Sequence, residues 1–213
     1  MLDATARRVL DRPLSRLAGL VDRSWVSPNR LSLLGLATGL ASAAAAAGQL
    51  WWWALGLWVF SRAMDGLDGP LARRRRGGDP GGSAQSSGSE AGGFLDITAD
   101  FLVYGATVVG VAVGATRQYD ADWLPFLLVL LAYYVNGTAF LAFSSIAERT
   151  GRQRDDGRSL SFLGGLAEGT ETILVHSVWL VIPDHAGVIA LGWAAVVGVS
   201  AVQRIVAGFR DLS

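Results

Sequence analysis

The sequence predicts an all-α integral membrane protein: a bundle of six transmembrane helices with an N-terminal amphipathic helix on the membrane surface. Hydrophobic residues make up 51% of its 213 residues, and they are gathered into long runs separated by short charged stretches. A helix needs about 20 apolar residues to cross a bilayer core of about 30 Å. Runs of about this length, the second one shorter, occupy 31–48, 50–64, 93–115, 123–147, 161–182 and 186–209.

The distribution of arginine predicts how these helices are oriented. Arginines are concentrated before the first run, at 73–76 and in the 148–160 loop, whereas the alternate loops hold only one arginine, Arg117. Short loops rich in basic residues stay in the cytoplasm. We therefore expect a multi-pass protein of the inner (cytoplasmic) membrane, with both termini and these loops in the cytoplasm. The formal net charge is zero, so overall charge says nothing about nucleic acid or acidic partners. The expected partners do not include nucleic acid.

The chain divides into a short N-terminal segment and one membrane domain. Residues 1–28 are expected to form an amphipathic cytoplasmic segment, because leucines recur there at helical spacing with arginines between them. An ordinary solvated segment is the alternative. Residues 29–213 form the six-helix domain. Within it, residues 77–91 are rich in Gly and Ser and have no apolar face, which predicts a flexible cytoplasmic insertion.

Four aspartates lie near the cytoplasmic ends of the second and third predicted helices, on either side of the insertion. They are Asp65 and Asp68 on helix two, and Asp96 and Asp100 on helix three. Spacings of three and four place each pair on one helical face, and one loop joins the two helices, so the pairs can meet at one depth. Carboxylates inside a membrane are costly and mark functional sites. Ion pairing with Arg62 or Arg73 is expected to account for one aspartate at most.

A cluster of carboxylates is stable only when cations offset the repulsion among its negative charges. Two like charges 4 Å apart repel by about 4 kcal/mol at an effective dielectric of 20, and a divalent ion removes that repulsion. The chain has no Cys, and no His lies near the aspartates in sequence, so the ligands are all oxygen. Such ligation favours Mg²⁺ or Mn²⁺. Gly66 and Gly69 leave the backbone bare beside the carboxylates, which allows a metal-bound diphosphate to approach closely.

The pattern Asp65-x2-Asp68-Gly69-x2-Ala72-Arg73, followed by Gly92-x3-Asp96-x3-Asp100, resembles the signature of the CDP-alcohol phosphotransferases. These are integral membrane enzymes of phospholipid synthesis, and every defined position of their signature is filled. The stretch 164–171 further resembles bacterial members labelled as phosphatidylglycerophosphate synthase-like. The loop of eighteen residues between Arg73 and Gly92 is longer than is usual in the family. Closing the longer loop should cost less than about 1 kcal/mol.

The resemblance implies an enzyme that moves a phosphatidyl-type group from a CDP-linked lipid to an alcohol and releases CMP, in phospholipid biosynthesis. It implies two divalent ions, Mg²⁺ or Mn²⁺, held by Asp65, Asp68, Asp96 and Asp100. Asp100 would also act as the catalytic base for the acceptor hydroxyl. The nucleotide would be bound by Asp65, Asp68, Gly69, Ala72, Arg73 and Gly92. The partners implied are the CDP-linked lipid donor, a small alcohol acceptor, the bilayer and a second copy of the chain in a homodimer.

Five further residues are candidates for binding the acceptor alcohol: Arg149, Arg158, Glu168, Glu171 and Arg204. The two arginines of the 148–160 loop could bind a phosphorylated acceptor, although setting the membrane topology already explains them. The two glutamates could contact the acceptor, or pair with Arg204 for structural reasons alone.

Two other functions remain alternatives. An intramembrane Mg²⁺-dependent prenyltransferase also uses aspartates with a diphosphate, but such enzymes usually have more helices and a different aspartate motif. A divalent-cation transporter would need polar groups continuing to the outer face of the membrane. Residues 51–59 and 108–115, on the outer halves of helices two and three, are almost wholly apolar. The sequence therefore favours an enzyme.

Overall fold

A computed structural model of the chain describes residues 13–14, 16–20, 22–23, 26–77, 87–151 and 167–213. Its regular structure within these ranges is entirely helical, which confirms the predicted all-α class. Six α-helices with defined bounds occur in the described chain, with a short 3₁₀ helix, Pro183–His185, between the last two. The α-helices are α1 Pro28–Ala47, α2 Trp51–Gly77, α3 Ser87–Tyr119, α4 Leu124–Arg149, α5 Gly169–Val181 and α6 Ala186–Leu212.

Four stretches of the described chain are long and apolar enough to cross a membrane. They are Pro28–Ala47, Ala91–Tyr119, Leu124–Arg149 and Pro183–Leu212. The other two helices fall short for different reasons. Helix α2 carries Asp65, Asp68 and several arginines in its second half. The 13 residues of α5 extend only about 20 Å. The predicted run 161–182 begins outside the described residues, so the count of six crossings stays a prediction.

Helix α1 packs against both α2 and α3, and small residues allow these close approaches. Gly39 of α1 lies against Val103 of α3 and Ser61 of α2. Gly110 of α3 faces Ala43 of α1, where an added Cβ would overlap the Ala43 backbone carbonyl. Because both neighbours pack tightly on α1, the C-terminal half of α2 and the N-terminal half of α3 are held close together.

A second group of helices, α4 to α6, covers the other side of α3. The core that this group forms with α2 and α3 is aromatic, with Trp58 of α2 and Trp179 of α5 fully buried. Three polar side chains in this core bond to one another: the Tyr133 hydroxyl lies 2.9 Å from His176 Nε2 and accepts a hydrogen bond from Trp193 Nε1 at 2.7 Å. Such internal pairing removes much of the cost of polar side chains in an apolar interior.

The N-terminal segment is described only in part. Residues 16–20 are helical, and Ala18 is buried against Leu67 and Leu71 of α2, while Leu17 and Leu20 are exposed. The segment thus packs on the half of α2 that carries the aspartates. Residues 1–12 lie outside the described residues, and the amphipathic surface helix expected within 1–28 stays a prediction.

The insertion expected at 77–91 is shorter than the sequence indicated. Helix α2 continues to Gly77 and α3 already begins at Ser87, so the last residues of the predicted insertion are helical. The pattern Ser87-x-x-Glu90 is typical of a helix N-terminus and was a signal for this start. Residues 78–86 lie outside the described residues.

Candidate active site

Three of the four aspartates form a compact group at the junction of α2 and α3. One carboxylate oxygen from each of Asp65, Asp68 and Asp96 lies within 4.8 Å of the corresponding oxygens of the other two. Helix α2 supplies the first two from adjacent positions on one face, and α3 supplies the third. Oxygen-only donors at this spacing suit a hard divalent cation, whose charge offsets the repulsion among the carboxylates.

Helix α1 fixes the orientation of Asp68. Ser32, which is buried on α1, donates a hydrogen bond from Oγ to Asp68 Oδ2 at 2.6 Å. A short hydrogen bond to a carboxylate is among the stronger ones that a hydroxyl makes. Nothing in the spacing of the aspartates pointed to Ser32. Its only signal was membership of the stripe of small residues that α1 buries, together with Gly35, Gly39 and Ser42.

Asp100 is held separately from this group, by an arginine. Arg62 Nη1 lies 2.6 Å from Asp100 Oδ1 and 3.5 Å from Asp65 Oδ2. The expectation that an arginine would account for one aspartate at most is therefore wrong. Arg62 contacts two because it lies one turn before Asp65 on α2 and faces Asp100 across the junction with α3.

The remaining signature residues flank the aspartates. Gly69 and Ala72 are half-buried on α2, within about one turn of Asp68. Gly92 lies about one turn before Asp96 on α3, and a Cβ there would come within 3.3 Å of Asn29 Oδ1. Arg73 belongs to α2, but its side chain lies outside the described part of the chain.

A cavity of about 600 Å³ adjoins Asp100 on the side away from α1. Polar side chains from α3, α4, α5 and α6 line it, including Asp100, Tyr104, Tyr133, Thr172 and Arg204. Arg204 is 5% exposed, and its guanidinium carbon is 5.7 Å from the centre of the Phe140 ring. The structure therefore places a carboxylate and a buried cation in the wall of one cavity.

The five acceptor-binding candidates fall in different places. Glu168, which precedes α5, and Arg204 of α6 both line the cavity beside Asp100. Glu171 is partly buried on the first turn of α5 and is not among the cavity-lining residues of the described chain. Arg149 is exposed at the end of α4. Arg158 lies outside the described residues.

Comparison with known proteins identifies the family. The sequence model of the CDP-alcohol phosphatidyltransferase family matches residues 25–200. Inner membrane protein YnjF of Escherichia coli is 33% identical over all of this chain and 97% of its own length. Phosphatidylinositol phosphate synthase of Corynebacterium glutamicum is 29% identical, over 97% of this chain and 88% of its own. Archaetidylinositol phosphate synthase of Pyrococcus horikoshii is 28% identical, over 67% of this chain and 73% of its own.

The fold is also similar to that of a solved structure. The crystal structure of Mycobacterium tuberculosis phosphatidylinositol phosphate synthase with CDP-DAG bound superposes with a TM-score of 0.69 at 21% sequence identity. The match covers 93% of this chain and 94% of that one. Neither rival function, prenyl transfer or cation transport, belongs to this family. The chain is thus a member of the CDP-alcohol phosphatidyltransferase family, a multi-pass membrane enzyme of phospholipid synthesis that transfers a phosphatidyl-type group from a CDP-linked lipid to an alcohol and releases CMP.

Proposed function

We propose that the junction of α2 and α3 is the catalytic centre, with CDP-diacylglycerol as the donor and with the acceptor alcohol bound in the cavity beside Asp100. The observation that carries this proposal is the position of Asp100. It lines the cavity and lies beside Asp65 of the aspartate group, since Arg62 Nη1 contacts both carboxylates. A carboxylate there has the diphosphate on one side and the acceptor on the other.

The aspartates would hold two divalent ions, Mg²⁺ or Mn²⁺. Asp65, Asp68 and Asp96 supply the oxygens that lie closest together, and Asp100 supplies a further carboxylate nearby. Such ions, when bound, polarise the phosphoryl oxygens and stabilise the charge on the departing CMP. The hydrogen bond from Ser32 keeps Asp68 turned toward this position.

The nucleotide would lie along the α2 and α3 backbones next to the aspartates. Gly69 and Ala72 leave room on α2, Gly92 does so on α3, and Arg73 provides a positive charge on α2. Small side chains suit this role because they let a diphosphate reach the backbone.

Asp100 would accept the proton of the acceptor hydroxyl. The hydroxyl oxygen then forms a bond with the lipid-side phosphorus, and the bond between that phosphorus and the bridging oxygen of the diphosphate breaks to release CMP. A carboxylate suits this task because the proton is lost as the new bond forms.

The cavity favours an acceptor with several polar groups. Arg204 and Glu168 offer opposite charges, and the hydroxyls of Tyr133 and Thr172 line the space between α4 and α5. Two relatives are named as synthases of inositol phosphate lipids, so an inositol phosphate is the first acceptor proposed. Glycerol phosphate, which the resemblance of the 164–171 stretch favours, is the second. Arg149, Arg158 and Glu171 stay candidates for binding the acceptor.

The test is release of CMP by the purified full-length protein. Detergent-solubilised enzyme receives CDP-diacylglycerol, Mg²⁺ and one alcohol at a time: inositol phosphate, glycerol phosphate, inositol or serine. We expect one phosphorylated acceptor to stimulate CMP release above the rate without acceptor, and Asp96→Asn to remove that stimulation. Stimulation by serine or inositol alone would contradict the proposed acceptor class, and no stimulation by any of them would contradict the proposed donor and acceptor together.

We further propose that all six helices cross the inner membrane, with both termini and the catalytic centre in the cytoplasm. The arginine-rich loops and the charged second half of α2 support this orientation. The chain has no Cys, so single cysteines introduced at Gln49 and at Ser213 can be labelled without background. A membrane-impermeant maleimide added to spheroplasts should label the cysteine at 49 and leave the one at 213 unlabelled until the membrane is opened. Equal labelling at both sites would contradict the orientation.

The resemblance to the family also supports a homodimer. Size-exclusion chromatography with light scattering gives the mass of the detergent-solubilised protein after the mass of the bound detergent is subtracted. We expect the mass of two chains. Elution as a monomer alone would contradict the dimer while leaving the catalytic centre as proposed.

A further inference from the structure

Arg62 is a buried cation that lies outside the family signature. Its side chain is 7% exposed, on a helix that the proposed function places in the membrane. Arginine in such a position is costly and is retained where it serves a function. It precedes Asp65 by one turn and has no part in binding the nucleotide or the acceptor as proposed above.

The guanidinium of Arg62 is fixed in place before any substrate binds. Its central carbon lies 5.2 Å from the ring centroids of both Trp58 and Tyr104. Contacts at this distance between a cation and an aromatic ring are attractive. Nη2 donates a hydrogen bond to Ser61 Oγ at 3.1 Å, and Ser61 in turn donates to the Gly35 carbonyl oxygen of α1 at 2.6 Å.

The fixed guanidinium determines where Asp100 points. Nη1 donates to Asp100 Oδ1 at 2.6 Å, and the same nitrogen lies 3.5 Å from Asp65 Oδ2. Asp100 consequently stands in the cavity wall, outside the group that Asp65 forms with Asp68 and Asp96. One of its two carboxylate oxygens is engaged by Arg62, which leaves Oδ2 for an ion or for the proton of the acceptor.

We propose that Arg62 is a positioning residue that holds the Asp100 carboxylate at the cavity wall and competes with divalent ions for Asp65 and Asp100. Without it, Asp100 would turn toward the ions as a full ligand and leave the acceptor hydroxyl. This inference rests on the proposed function, because it assigns Asp100 to the acceptor proton. It predicts that metal binding and turnover respond to Arg62 in opposite directions.

A purely structural arginine predicts something else. If Arg62 only joined α2 to α3, its loss would loosen the whole junction, and metal affinity would fall together with the rate. Two measurements therefore separate the positioning role from the purely structural role. The first is the Mn²⁺ affinity without donor or acceptor, and the second is kcat together with the KM for CDP-diacylglycerol.

The experiment compares Arg62→Gln and Arg62→Lys with the wild type in detergent, by calorimetric Mn²⁺ titration and by CMP release. Arg117→Gln, at an exposed site near the end of α3, is the matched control. For Arg62→Gln we expect kcat to fall about 100-fold with KM nearly unchanged, and Mn²⁺ to bind at least about threefold more tightly, because a competing cation has been removed. Mn²⁺ affinity that is unchanged or weaker, or an unchanged kcat, would overturn the proposal.

Arg62→Lys keeps the proposal testable if the Gln variant does not fold. Lysine preserves the charge but lacks the planar fork whose two nitrogens engage Asp100 and Ser61 separately, so the direction of the Asp100 carboxylate is less well fixed. We expect Mn²⁺ affinity within about twofold of the wild type and kcat reduced about tenfold or more. A lysine variant with full kcat would overturn the positioning role. The Mn²⁺ titrations need no substrate. They therefore test this inference even if none of the alcohols in the CMP-release experiment proves to be an acceptor.

Discussion

Two buried serines of α1 provide a matched test of how the aspartate group is held. Ser32 Oγ donates to Asp68 Oδ2 at 2.6 Å, and Ser42 Oγ donates to the Ala54 backbone carbonyl at 2.7 Å. Both side chains are at most 5% exposed, and both bonds join α1 to α2. The two differ in one respect, since only Ser32 touches a carboxylate proposed to bind metal. Replacing each by alanine therefore separates metal binding from helix packing.

The size of each effect depends on the group that accepts the hydrogen bond from the serine hydroxyl. A hydrogen bond to a charged group contributes about 1.5–3 kcal/mol, and 1.4 kcal/mol corresponds to about tenfold in an equilibrium constant. Ser32→Ala should thus weaken Mn²⁺ binding about 10- to 100-fold, the range typical of groups that orient metal ligands. Ser42→Ala removes the side-chain hydrogen bond to the Ala54 carbonyl, which keeps its backbone partner within α2, at a cost of about 1 kcal/mol, or about 2–4 °C in Tm.

The assay is calorimetric titration of Mn²⁺ into each purified variant, together with thermal unfolding in the same detergent. We expect Ser42→Ala to lower Tm and leave Mn²⁺ affinity within about twofold of the wild type, whereas Ser32→Ala lowers both. If Ser32→Ala bound Mn²⁺ as tightly as the wild type, the reasoning that α1 orients Asp68 for an ion would be refuted. Equal losses of affinity in both variants would show that helix packing alone controls the site.

The other predictions concern the reaction and the helix packing. Asp100→Asn should reduce CMP release by about 10²- to 10⁴-fold while nucleotide binding, followed by competition with a labelled CDP-lipid, persists; full turnover would refute the base assignment. Excess EDTA should stop CMP release, and Mg²⁺ or Mn²⁺ should restore it where Ca²⁺ or Zn²⁺ does so poorly; activity that survives chelation would argue against metal dependence. Arg204→Gln should raise KM for a phosphorylated acceptor about tenfold or more with little change in KM for the donor, and equal changes in both would place Arg204 outside the acceptor site. Gly110→Ala, whose Cβ would overlap Ala43, should cost about 1–3 kcal/mol, whereas Gly192→Ala, with open space around it, should be neutral or slightly stabilising in thermal unfolding.

The sequence alone determined the features that depend on local spacing. Apolar runs predicted the helical class, because a helix in a bilayer must present apolar side chains along its length. Spacings of three and four predicted that each aspartate pair shares a face, and the filled signature predicted the family. The early start of α3 at Ser87 was also readable, from the pattern ending at Glu90, although the Gly/Ser-rich composition around it pointed to a longer loop.

The tertiary structure decided which of these residues meet. Three aspartates form one group while Asp100 is drawn to Arg62, and Ser32 reaches Asp68 from 36 positions away in the chain. The cavity beside Asp100 likewise combines side chains from four helices, including Arg204. None of this follows from spacing along one helix. It depends on the rotation and separation of neighbouring helices, which are set by contacts such as Gly110 against the α1 backbone and have no local signature in the sequence.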